Sequence, residues 1–220
     1  KEYAEFHGID PQTQKEKSPG MLTLLRKAPS TFWTVGLVQF FCWAAFMYMW
    51  TYTNGAIADT VWETTDVRSE GYQEAGNWVG ILFAIQAIGS MLWALLIPKF
   101  KSIKTAYVVS LLLGAVGFAS VFFIHDQYIL FASFLLIGAA WAAMLAIPFT
   151  LLTNSLSGDH IGTYLGLFNG TICLPQIVAA ACGGILLRMV GGSQVSMFLI
   201  AGILLVCGAA AVYLVKEKRV

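Results

Sequence analysis

Six long apolar runs constrain this chain more than any motif does. They cover roughly residues 32–57, 78–97, 107–124, 128–152, 164–188 and 197–214. Each is about 18 residues or longer, and at ~1.5 Å rise per residue such a helix crosses a ~30 Å hydrocarbon layer. A water-soluble bundle does not keep every helix face apolar. With 58% hydrophobic and only 11% charged residues among 220, the chain also lacks the polar surface to cover a soluble globule. The expected fold is all-α and membrane-embedded, with six transmembrane helices within residues 31–215. Residues 1–30, charged and containing Pro11, Pro19 and Pro29, read as a cytosolic arm with a membrane-surface segment around 21–27. Residues 216–220 read as a cytosolic tail.

Lysine and arginine set the expected orientation. With the N-terminus inside, Lys1, Lys15, Lys17, Arg26, Lys27, Lys99, Lys101, Lys104, Lys216, Lys218 and Arg219 are cytosolic, and only Arg68 and Arg188 lie outside. That asymmetry puts both ends in the cytosol. The connection between the first two runs is acidic (Asp59, Glu63, Asp66, Glu70, Glu74) and reads as a solvated outer loop, with Trp62 and Trp78 as interfacial anchors. A net charge of +1 and scattered basic residues exclude a nucleic-acid groove. Cys42, Cys173, Cys182 and Cys207 sit in apolar runs with no CxxC spacing, so no metal site, cofactor or redox role is expected.

Polar groups inside the runs carry the functional argument, because at that depth each needs a partner. On the first run Gln39, Trp43, Phe46, Trp50 and Asn54 share one helical stripe. The second run places Gln86 near mid-membrane, with Ser90 and Trp93 on its side, and the fifth places Asn169, Cys173 and Gln176 on one side. Amides and indoles suit a neutral, hydroxyl-rich ligand: amides donate and accept, and indoles cover the apolar face of a sugar ring. The same amides also serve to bridge helices. Pro148 and Pro175 each remove a backbone hydrogen bond and suit moving gates. Gly162, Gly166 and Gly170, at every fourth position, predict close helix packing with gating as a consequence. No Ser-His-Asp set, carboxylate pair or HExxH pattern lies within the runs, so catalysis is not expected. His125-Asp126 and Asp159-His160 read as polar connectors. No mid-span acid offers a proton or sodium relay.

A weak internal similarity suggests two inverted three-helix repeats: Trp43-Ala-Ala-Phe-Met resembles Trp141-Ala-Ala-Met-Leu, and Thr53-Asn54 recurs as Thr153-Asn154. Three stretches carry a more specific resemblance. Gly162-Thr-Tyr-Leu-Gly-Leu-Phe-Asn-Gly-Thr-Ile-Cys-Leu-Pro-Gln-Ile-Val resembles the eleventh-helix motif of sucrose-transporter-like major facilitator proteins. Val38-Gln-Phe-Phe-Cys-Trp-Ala-Ala-Phe with Met49-Trp-Thr-Tyr looks like their seventh helix, and Ala146-Ile-Pro-Phe-Thr-Leu-Leu-Thr-Asn like their tenth. The bacterial branch, within or beside the glycoside, pentoside and hexuronide cation symporters, fits best.

The resemblance implies helices seven to twelve of a twelve-helix sugar transporter working by alternating access. It further implies a bacterial inner (plasma) membrane location and a coupling cation held mainly by an N-terminal half. Residues 98–104 stand where that fold has a charged loop but lack its Asp and Gly-Arg elements. Gln39, Trp43, Gln86 and Gln176 are then expected as the sugar-facing wall, with Asn54 as an outer and Asn169 as an inner contributor. The alternative is a six-helix membrane scaffold without transport activity.

Overall fold

The computed structural model describes residues 20–156 and 161–216. Every regular element among these residues is helical: α1 (Met21–Lys27), α2 (Ser30–Val61), α3 (Glu70–Ala94), a 3₁₀ turn (Ile97–Lys99), α4 (Ile103–Val121), α5 (Leu130–Ser155), α6 (Ile161–Phe168), α7 (Gly170–Met189) and α8 (Ser196–Val212). The arm up to Pro19, the Asp159-His160 connector and the tail beyond Lys216 lie outside the described residues.

Five stretches are long and apolar enough to cross a membrane: α2, α3 with its 3₁₀ turn, α4, α5, and α6 with α7. The sixth expected span is α8, and it is shorter, at 17 residues. Its ends tighten into i→i+3 turns, with Phe198 N–H bonding Val195 O and Leu214 N–H bonding Ala211 O. Apolar character continues past the regular helix there, but the α-helical hydrogen bonding does not.

Local chemistry fixes the helix starts. Ser69 Oγ accepts from Tyr72 N–H at 3.2 Å, and Ser102 Oγ from Thr105 N–H at 3.4 Å. Asp126 Oδ1 accepts from Tyr128 and Ile129 N–H at 2.8 and 3.0 Å as the chain enters α5. Each satisfies amides that a helix leaves without intrahelical partners. The chain leaves α7 through Gly191 and Gly192, at φ +71° and +83°, with Gly192 N–H returning to Leu187 O at 2.8 Å. A side chain is strained in that backbone region, which explains the glycine pair.

Packing follows a crossed pattern. Helix α2 lies against α7 and α8, α5 lies against α3 and α4, and α4 against α8 closes the ring. Buried aromatics fill the middle: Phe46 of α2 meets Phe118 of α4 at 5.5 Å, and Phe118 meets Phe198 of α8 at 5.8 Å. Helices α3 and α7 turn large apolar side chains outward, among them Met91, Leu92, Ile177 and Ile185. Such surfaces belong against lipid tails or another apolar segment.

The closest backbone approaches are not where glycine spacing predicts them. Around Gly162, Gly166 and Gly170, the space that a Cβ needs has no neighbour within 4 Å among the described residues. Close approach occurs at Gly89 and Gly138, where α3 crosses α5, and at Gly117, whose added Cβ lies 2.6 Å from Ser133 O. The reason is rotational phase. The glycines of α6 face away from the other helices, which no spacing rule reveals.

Candidate functional site

Gln39 is fully buried, so in this conformation it bridges helices and lines no open cavity. Its Nε2 donates to Met144 O at 3.3 Å, and its Oε1 accepts from Tyr107 O–H at 3.4 Å. The choice of Met144 has a local cause. In an α-helix Met144 O pairs with the N–H of residue 148, and Pro148 has none. The glutamine of α2 supplies the donor that the proline of α5 removes, and Tyr107 of α4 orients the amide. Gln39 and Pro148, singled out separately in the sequence, thus form one unit. Tyr107 is a member that sequence reasoning missed; its place at the start of an apolar run gives no signal of where its hydroxyl ends.

Trp43 lies near the middle of α2 and is 7% exposed. Its ring sits 5.8 Å from Trp141 of α5 and 6.3 Å from Trp50, while Trp50 and Trp141 are 5.7 Å apart. Phe46 closes the group at 5.0 Å from Trp141. These tilted and edge-on pairs make a cup of three indoles rather than a stack. Trp50 is 41% exposed, so the cup has an open side. Trp43 Nε1 is buried without a hydrogen-bond partner among the described residues. Trp141 entered the sequence reading through the repeat, and Trp50 through its stripe and the seventh-helix resemblance; their meeting is a tertiary result.

The remaining amides are spread out. Asn54 is half-buried toward the C-terminal end of α2, its Oδ1 also buried and without a partner among the described residues, close to Gly76 of α3. Gln86 is 7% exposed on α3, beside the crossing with α5. Gln176 is half-buried on α7 and its Nε2 turns back to Ile172 O of its own helix at 3.1 Å. Asn169 is exposed at the one-residue break between α6 and α7, with no side-chain cap bond. Pro175 is buried and lines an apolar recess between α2 and α7 with Gly36, Phe40 and Thr171. The structure therefore joins Gln39 to Pro148, and Trp43 to two further indoles. It leaves Asn54, Gln86, Asn169 and Gln176 as separate polar points.

Chemically the assembly is neutral. Among the described residues no group of three or more His, Cys, Asp or Glu side chains is placed to hold a metal ion. Its indoles can donate, and its amides both donate and accept, hydrogen bonds.

A family profile described as Major Facilitator Superfamily matches residues 40–220. Among curated proteins the chain is similar to the magnetosome protein MamH of Paramagnetospirillum magneticum. The two are 28% identical over 154 residues, which is 69% of this chain and 36% of that protein. The chain thus spans about a third of the length of that relative. No solved structure matches it. With apolar membrane-length helices and a family match across most of its length, this chain belongs to the Major Facilitator Superfamily, a superfamily of multi-pass membrane transporters rather than enzymes.

Proposed function

We propose that the complete protein transports a sugar, a disaccharide or other glycoside, by alternating access with cation symport, and that this chain supplies helices seven to twelve. The observation that carries the sugar reading is the Trp43 indole N–H, buried and unpartnered beside Trp50 and Trp141. An unsatisfied buried donor costs about 1–3 kcal/mol, and a ligand hydroxyl removes that cost. The indole faces cover the apolar side of a sugar ring. Gln86 and Gln176 complete the wall, with Asn54 toward the outside and Asn169 toward the cytosol. In this reading Gln39 acts behind the wall by fixing α5.

The crossed packing supports two inverted three-helix repeats, with α8 as the sixth span. Helix α2 packs on α7 and α8 as α5 packs on α4 and α3, and Trp43 and Trp141, at matching places in the repeats, meet at 5.8 Å. Both termini then lie in the cytosol of a bacterial plasma membrane. An N-terminal half covers the outward faces of α3 and α7, holds most of the cation site, and packs on Gly162, Gly166 and Gly170. Pro148 and Pro175 are hinge positions. The likeness to a magnetosome protein supports a second reading, in which this chain is itself a magnetosome protein; imaging a fluorescent fusion in the source cell separates the two.

The test of the sugar reading is Trp43→Phe in the full-length protein. Phenylalanine keeps an apolar ring and removes the donor, so sugar affinity is expected to fall roughly 2- to 12-fold, the worth of one neutral hydrogen bond. Binding is measured by isothermal titration with a panel of disaccharides, sucrose and melibiose included. Unchanged affinity, or no binding of any sugar by the wild type, refutes the sugar assignment and leaves family membership intact.

A further inference from the structure

Trp93, Leu96, Lys99, Phe100, Lys101 and Thr105 surround an open recess of about 520 Å³ where α3 gives way to α4. That volume falls within the ~300–1,000 Å³ of ordinary ligand recesses. Its two walls differ in chemistry. One is apolar and built: Trp93 Nε1 donates to Ser110 Oγ at 2.7 Å, which fixes the indole, and Phe100 lies 6.2 Å from it. That wall runs into an outward apolar surface formed by Leu92 and Leu95, 52% and 68% exposed. The other wall carries the exposed side chains of Lys99 and Lys101. Lys104 is already engaged, its Nζ donating to Val215 O at 2.6 Å, so two ammonium groups remain for a ligand. The stretch from residue 75 to residue 125 holds no Asp or Glu, so nothing along it neutralises them.

We propose that this recess binds an anionic phospholipid, with the phosphodiester between Lys99 and Lys101 and the glycerol and first acyl carbons against Trp93, Leu96 and Phe100. The walls select the lipid over a free phosphate. A soluble anion uses only the lysines, whereas a lipid also covers apolar area that is continuous with the membrane-facing surface of α3. The 3₁₀ turn Ile97–Lys99, which holds Pro98, places Lys99 at the rim, and Ser102 capping α4 places Lys101 beside it. The site is separate from the indole cup, and its occupation does not depend on which solute is carried.

Native mass spectrometry of the full-length protein in non-ionic detergent tests this directly. The probes are phosphatidylglycerol and phosphatidylcholine with identical acyl chains. Wild-type protein is expected to retain phosphatidylglycerol in preference to phosphatidylcholine. Removing both charges (Lys99→Gln with Lys101→Gln) is expected to lower phosphatidylglycerol retention about 25-fold, roughly fivefold for each lysine. A control at equally basic positions outside the recess, Arg26→Gln with Lys27→Gln, is expected to keep it. Both lysines are exposed, so glutamine disturbs no packing, and the single Lys101→Gln variant, at about fivefold, serves if the double variant does not fold. Retention that survives the double change, falls equally in the control, or is abolished by equimolar inorganic phosphate overturns the proposal.

Discussion

Gln39→Leu is expected to destabilise the full-length protein by about 1–3 kcal/mol, the cost of leaving buried polar groups without partners. The groups are Met144 O and the Tyr107 hydroxyl, which now bond the two ends of the Gln39 amide at 3.3 and 3.4 Å, all within residues that are 0% exposed. Leucine branches and ends one heavy atom short of glutamine, and the packing term this adds cancels in a double-mutant cycle. The cause lies four residues along α5, where Pro148 provides no N–H for Met144 O. The effect of Gln39→Leu is therefore expected to shrink by about 1 kcal/mol when Pro148 is replaced by alanine, whose N–H re-pairs the carbonyl. Reversible unfolding in sodium dodecyl sulfate, run on the four members of this double-mutant cycle, measures the coupling. Additivity of the two changes to within about 0.5 kcal/mol means that the proline and the glutamine are unrelated.

That cycle also marks where the sequence stops being legible. The apolar runs and the grouping of Gln39 with Trp43 on one stripe can be read from spacing, because each depends on neighbours along one helix. Whether an amide on that stripe meets a ligand or a carbonyl depends on a residue 105 positions away, and hence on how α2 and α5 are placed against each other. An amide in a low-dielectric interior takes the nearest unpaired acceptor, and a proline had left one within reach. Trp43 shows the converse: its stripe was visible, but the indole cup arises only because Trp141 arrives from α5. The short length of α8 was hidden for a different reason, since hydropathy continues through its 3₁₀ ends while regular α-helical bonding stops.

Glycine gives the second large effect, at positions that four-residue spacing does not single out. Gly138→Ala and Gly89→Ala are each expected to cost about 2–3 kcal/mol, and Gly138→Val to prevent α3 from docking on α5. A Cβ at Gly138 overlaps Gln86 O and comes within 2.7 Å of Ser90 N; one at Gly89 comes within 2.5 Å of Leu135 O. The atoms in the way are backbone, so no side-chain rotation relieves the overlap and the helices must separate. Between membrane helices that contact is mainly van der Waals packing, and separation loses it along the whole crossing. Gly166→Ala is the contrasting case. No atom of the described residues lies within 4 Å of its added Cβ, and alanine favours the helix by roughly 1 kcal/mol, so unfolding of this chain is expected to show no loss of stability. On the proposed reading of this chain as part of a longer transporter, loss of transport by Gly166→Ala without loss of helix stability is the signature of a surface that another segment must approach. The same crossing holds Gln86, whose carbonyl faces Gly138. Gly138→Ala should therefore shift Gln86 with α3 and lower stability, and on the proposed sugar reading it weakens binding as well; a melting curve within about 1 °C of wild type excludes that close contact.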